Sequence, residues 1–394
     1  MAERRTALLA IVVTTALGLA ASGAHVVRLD GSRIATSEVD ATVERLMRAA
    51  NVTGAAVAIF NDRRPVHVKA YGVRDADLHA PLTIDSVMAA ASFTKVAFAY
   101  MVLQLVDEGV IRLDTPVERY LPRPLPEYAG YDRLANDDRY KTLTPRMLLD
   151  HTSGFANLRV LEPERKTQIH FDPGTRYAYS GQGLQLLQLV VETATGRPLE
   201  DLMREHVFLP FGMTRTSMIW EERFDGDYAN GYDERGRSLG PERRRSADAA
   251  GSMQTTLADF TRFMQAVIGG RRLRAPTRRL MLTPQIRILS KRQFPTLAPE
   301  TTKENDAIRL SYGLGWGLYS TPYGQAFFKE GHDEGWRHYT VMFEKPGIGI
   351  VVMTNSSNGE GIYKELLETL LRNTFTPIAW EGFTPYDQVP GRTK

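Results

Sequence analysis

Met88-Ala89-Ala90-Ala91-Ser92-Phe93-Thr94-Lys95-Val96-Ala97-Phe98-Ala99-Tyr100 passes from small residues into an apolar run, and the reading of the whole chain turns on it. Val96, Ala99, Tyr100, Leu103 and Val106 recur at helical spacing and stop at Gly109, which predicts a helix over Thr94 to Glu108. Lys95 is the only charge in that helix before Asp107. A lone ammonium on a helix that is apolar on most sides is expected to be buried, and a buried ammonium needs a partner or a task. Ser92 and Lys95 lie three residues apart at the helix start and so share a face, where a neutral amine could take the hydroxyl proton. The helix N-terminus adds partial positive charge, which favours an alkoxide and lowers the lysine pKa. An N-cap serine followed by a surface lysine would give the same spacing; the apolar setting is what argues for chemistry.

Outward from this segment the periodicity changes twice. Upstream, Val39, Val43, Leu46 and Met47 predict a helix over Thr36 to Ala50, capped by Thr36 or Ser37. Gly54 to Phe60, the turn-like Asn61-Asp62-Arg63-Arg64, and the alternating Pro65 to Tyr71 predict a β-hairpin. Downstream, to about residue 305, the chain reads as helical and loop-rich, with candidate helices at Pro145 to Asp150, Gly183 to Thr195, Leu199 to Val207 and Thr256 to Ile268. Strands return at Tyr312 to Tyr319, Ala326 to Lys329, His338 to Glu344 and Gly349 to Thr354, before a helix from Ile362 to Arg372. No internal repeat is visible. Strands at both ends with helices between them predict an α/β protein of the α+β type, one sheet built by the two termini with a helical subdomain inserted at about 80–305.

The 394 residues are enough for a large core, and 43% hydrophobic with 24% charged residues is an ordinary globular composition. A net charge of +3 and the lack of zinc or RNA-binding signatures argue against a nucleic-acid partner. There is no cysteine, so thiolate catalysis, disulfides and Cys-ligated metals are excluded, and a nucleophile must be oxygen or nitrogen. Arg4 and Arg5 precede an uncharged stretch that ends in Ala20-Ala21-Ser22-Gly23-Ala24, the layout of a secretory signal over residues 1–24 with cleavage after Ala24. No charge falls between Arg5 and Arg28, so an uncleaved helix anchoring the protein to a membrane is the other reading. The expected location is export, periplasmic or secreted.

Two further constellations carry chemistry. Pro173-Gly174-Thr175-Arg176-Tyr177-Ala178-Tyr179-Ser180-Gly181 is a Pro-Gly turn leading to a tyrosine that, beside a lysine, could serve as general base and acid; alternating core and surface aromatics would look the same. Gly331-His332-Asp333-Glu334-Gly335-Trp336 is expected between two strands, where a strand-edge N–H could form half of an oxyanion hole; a plain hairpin turn is the alternative.

In this order and at these separations, the three constellations resemble the serine β-lactamase-related family, which includes class C β-lactamases, D-alanyl-D-alanine carboxypeptidases and esterases. Leu148-Leu149-Asp150-His151-Thr152-Ser153-Gly154, Phe171-Asp172-Pro173-Gly174 and Pro210-Phe211-Gly212-Met213 are similar to further family segments, and the resemblance spans about 37–375, leaving 376–394 as a C-terminal tail. It implies an antiparallel sheet flanked by helices, with the helical subdomain against it and the serine in the cleft between. It also implies Ser92 as acylated nucleophile, Lys95 as its activator and Tyr179 as the group that takes the Ser92 proton and passes it on. The backbone N–H groups of Ser92 and Gly335 are implied as the oxyanion hole. Two departures touch substrate binding. Gly181 replaces the Asn of Tyr-x-Asn, and the Lys-Thr-Gly or His-Thr-Gly strand motif is read here as His332-Asp333-Glu334.

An α/β-hydrolase would need Gly-x-Ser-x-Gly, and a zinc hydrolase built on His332, Asp333, Glu334 and His338 lacks the helical His-Glu-x-x-His spacing. The expectation is therefore a serine hydrolase acting through a Ser92 acyl-enzyme on a small-molecule or peptide substrate, with no cofactor and no metal. The alternative is a non-catalytic cell-wall or β-lactam-binding protein on the same fold. Gly181 and Glu334 both point away from β-lactams and towards neutral esters. Arg271 to Arg292 carries eight basic residues and no acid, which reads as a solvated face or a site for anionic polymers.

Overall fold

Gly54–Asn61 (β1) is apolar almost throughout, a pattern that arises when both faces of a strand are covered. In the computed structural model, which describes residues 24–389, that strand lies inside a nine-stranded sheet. It pairs with Arg64–Asp75 (β2) on one side and with Ile348–Thr354 (β6) on the other, Val57 opposite Val352. The sheet continues through Trp336–Phe343 (β5), Gly324–Asp333 (β4) and Gly317–Thr321 (β3), and two-residue strands close its edges. Every neighbouring pair is antiparallel. The first and last thirds of the chain thus build one sheet, as the alternation of periods predicts.

The pleat sends alternate residues to two cores. Ala55, Val57, Ile59, Val341, Ile350 and Val352 meet Thr36–Ala50 (α1) and Tyr363–Leu371 (α5), which lay Val43, Leu46, Leu366 and Leu370 across that face. Ala56, Ala58, Phe327, Met342 and Met353 face Phe93–Asp107 (α2) and Leu257–Gly269 (α4). Gly181–Thr195 (α3) packs within the same second core. Helix α2 is buried from Phe93 to Leu105 on all sides, Lys95 included, so it forms the axis of the helical part.

Several boundaries differ from the sequence reading; the strand expected over Tyr312 to Tyr319, for one, is two strands, Ser311–Tyr312 and Gly317–Thr321, paired across a turn. The cap of α1 is Ala35, whose N–H donates to the Glu38 carboxylate at 3.3 Å, instead of Thr36 or Ser37. Strand β4 runs on to Asp333, so His332 and Asp333 are strand residues and only Glu334-Gly335 form the turn to β5. Residues after 375, expected as a tail, pack into the body: Trp380 is 2% exposed, and its ring stands 6.1 Å from that of Tyr177 and 6.4 Å from that of Phe328. The leader expected over residues 1–24 lies, but for Ala24, outside the described residues; among these no helix is long and apolar enough to cross a membrane.

Candidate active site

Ser92 stands at the N-cap of α2, just after Ala91, which holds a left-handed φ of 46°. That conformation is costly for a residue with a Cβ and persists only where the surroundings enforce it. Here the Thr94 hydroxyl donates to the Ala91 carbonyl at 2.7 Å and accepts the Met253 N–H at 3.1 Å, stapling the turn to the 248–253 loop. Lys95 Nζ lies 3.0 Å from Ser92 Oγ and 2.5 Å from the Ala250 carbonyl. Burial, followed by the charge of Lys329, pulls the Lys95 ammonium down to about 7, so much of it is neutral at physiological pH.

Tyr179 comes from the extended segment before α3. His151 shapes that segment: its carbonyl accepts the Ala178 N–H at 2.9 Å and its Nδ1 accepts the Ser180 N–H at 3.2 Å. Burial, helped by the charges of Lys329 and Lys95, holds His151 neutral, well below the usual imidazole range. The Tyr179 ring lies 5.1 Å from Lys95 Nζ and 4.6 Å from Lys329 Nζ, and its hydroxyl accepts from Lys329 at 3.0 Å. Burial, then Glu330, pushes this phenol well above its ordinary range, against the opposing effect of its contact to Ser92. Tyr179 is therefore a phenol at neutral pH. Of the two groups beside Ser92, Lys95 is the one whose electrostatics suit a proton acceptor.

Lys329 is the residue that the sequence reading missed. It is fully buried on β4 and paired with Glu330, whose carboxylate also accepts from Gln293 at 3.1 Å. Gly331 follows, where a Cβ would come within 3.1 Å of the Ala90 carbonyl, so β4 approaches the nucleophile turn closely here. The strand beside Ser92 thus carries Lys329-Glu330-Gly331. The Lys-x-Gly spacing was visible in the sequence three residues ahead of His332-Asp333-Glu334, and no statement about periodicity could choose between them.

Gly335 does not fit the oxyanion role expected of it. With φ of +80° it turns the β4–β5 hairpin, packs against Gly231, and its N–H is taken by Ser357 Oγ at 2.9 Å. The Ser92 N–H, by contrast, donates to none of the described residues. Gly181 opens α3 and lies against Asn157, whose Oδ1 accepts the Gly181 N–H at 3.0 Å. A Cβ on residue 181 would fall 2.9 Å from the Asn157 carbonyl, so the glycine makes room for Asn157, which itself faces the cavity.

That cavity, about 870 Å³, is bounded by Ser92, Tyr179, Asn157, Phe294, His332 and Glu334 among others. Residues 39–371 match the family described as Beta-lactamase. The chain belongs to the beta-lactamase family. It is 28% identical over 347 residues to penicillin-binding protein 4 of Amycolatopsis lactamdurans, covering 82% of this chain and 85% of that one. It is 25% identical to the D-alanyl-D-alanine-carboxypeptidase/endopeptidase AmpH of Escherichia coli K12, covering 82% and 84%. The solved structure of an octameric penicillin-binding protein homologue from Pyrococcus abyssi superposes with a TM-score of 0.70 at 22% identity, over 91% of this chain and 80% of that one, and so shares the fold. As a member of the beta-lactamase family the chain is a serine hydrolase, related to carboxypeptidases, esterases and β-lactamases.

Proposed function

We propose that this serine hydrolase is exported and cleaves small neutral esters, or amides, through an acyl-enzyme on Ser92, with weak or no β-lactamase activity. The contact of Lys95 Nζ with Ser92 Oγ at 3.0 Å, by a lysine that burial has brought down to about 7, carries the reading. Neutral Lys95 takes the hydroxyl proton as Oγ attacks the substrate carbonyl, and the Ser92 N–H, free of acceptors among the described residues, is available to the developing oxyanion. The Tyr179 phenol gives its proton to the leaving group and recovers one from the Lys95 ammonium, so no charge is left on the phenol. Water then repeats the sequence in reverse to release the acid.

The preference against β-lactams rests on charge. Lys329, which could meet a substrate carboxylate, is neutralised by Glu330 at its side, and Glu334 adds a carboxylate at the rim. Export is supported by Arg4-Arg5 and the uncharged stretch that follows. The test is labelling by a fluorophosphonate probe, expected in wild type and lost in Ser92→Ala, with kcat/KM for a p-nitrophenyl ester exceeding that for a cephalosporin. Labelling that persists in Ser92→Ala, or the opposite ranking of substrates, overturns the reading.

A further inference from the structure

Five carboxyl side chains line the Ser92 cavity, from Glu330, Asp333, Glu334, Glu360 and Glu381. Arg292, exposed beside Phe294, is the only permanent cation among the lining residues, and His332 is the other titratable group there apart from Tyr179. Three of the carboxylates are already matched: Glu330 by Lys329, Asp333 by Arg244 at 3.1 Å, and Glu360 by Arg337 at 2.9 Å and His332 at 3.3 Å.

Glu334 and Glu381 are not matched. The Glu334 side chain is exposed at the β4–β5 turn and meets no cation or donor among the described residues. The turn that carries it is held by the Gly335–Ser357 hydrogen bond and by the packing of Gly335 on Gly231, which limits how far it can swing from the cavity. Glu381 is 4% exposed, and neither of its carboxyl oxygens has a hydrogen-bond partner among the described residues. Leaving a buried carboxyl unpaired is costly unless it is held neutral or awaits a partner. Burial and the nearby Glu330 do push it well above the ordinary carboxylate range. No three acidic or imidazole groups among the described residues converge closely enough to hold a metal ion, so the cation that suits this wall is organic.

We propose that the substrate of this hydrolase carries an ammonium group, which Glu334 receives at the mouth of the cavity, with the unpartnered Glu381 carboxyl of the cavity wall as its second contact. This deepens the Ser92 acyl-enzyme reading and rests on it. The prediction uses three esters of matched size, bearing a trimethylammonium, a neutral isosteric tert-butyl or a carboxylate group, placed in turn on the acyl chain and on the alcohol.

In at least one series the ammonium ester is expected to show a KM about tenfold below that of the neutral isostere, the scale of one partly desolvated ion pair. The advantage should shrink towards unity in Glu334→Gln, be largely kept in Glu334→Asp, and fall as salt is raised. Binding of the same esters to Ser92→Ala, followed by calorimetry, reads the preference without turnover. An ammonium ester that binds no better than its neutral isostere in both series overturns this proposal, as does a preference unchanged in both Glu334→Gln and Glu381→Gln. A clear ammonium preference in binding with no Ser92-dependent hydrolysis would overturn the acyl-enzyme reading instead.

Discussion

Lys95 and Tyr179 surround the Ser92 hydroxyl with two groups whose environments push them in opposite directions. The lysine is made easy to deprotonate and the tyrosine hard to deprotonate, because a buried site penalises the charged form of each. Acylation should therefore lose activity as the pH falls below about 7, where Lys95 becomes an ammonium and can no longer accept the Ser92 proton. Single-turnover rates with a p-nitrophenyl ester from pH 5 to 9 measure that limb; a limb near 4 would remove Lys95 as the base. Lys95→Ala and Tyr179→Phe should each slow acylation by about 10² or more, the usual scale for a positioned acid or base. Gly181→Asn tests a different point. Restoring the family's amide at 181 is expected to reduce activity and lower Tm, since its Cβ would sit 2.9 Å from the Asn157 carbonyl. A variant that gains β-lactam turnover with unchanged Tm would contradict this.

At the level of elements, the site is a meeting of four segments: the start of α2, the His151–Gly154 loop with the stretch before α3, the end of β4, and residues 376–389. The last of these holds only the short helices Ile378–Glu381 and Tyr386–Gln388, yet Trp380 covers Tyr177 and Phe328, its Nε1 donates to Ser290 at 3.2 Å, and its neighbour Glu381 reaches the cavity wall. Trp380→Ala is expected to cost about 3 to 5 kcal/mol, as for other buried aromatic truncations. Chemical denaturation followed by circular dichroism measures it, and a loss below 1 kcal/mol would mean that this segment is dispensable to the core.

For the molecule as a whole, the pairing of β1 with β6 joins residues nearly three hundred positions apart, so the sheet and the cleft it backs form only when both ends of the chain are present. The described body begins with a short strand, His25–Val27, paired to Arg33–Ala35, directly after the expected cleavage point. Mass spectrometry of the protein recovered from its native host is expected to give a mature N-terminus at or close to His25 in an extracytoplasmic fraction. A soluble cytosolic form that retains Met1 would contradict export.

Local rules were enough for much of this. The apolar stripe of α2, the three-residue spacing of Ser92 and Lys95, the apolar runs of β1 and β6, the alternation of β2, and the Pro-Gly turn before Tyr179 are each determined by residues close in sequence, because helix faces, strand faces and turns are short-range properties. What tertiary structure decided was which residues meet. Strand pairing and register placed Lys329-Glu330-Gly331, and not His332-Asp333-Glu334, beside Tyr179 and the nucleophile turn. Long-range packing turned the presumed tail into a cavity wall and put Asn157 against Gly181. Such contacts depend on how separate elements fill space together, and the pattern within any one of them carries no record of its neighbour.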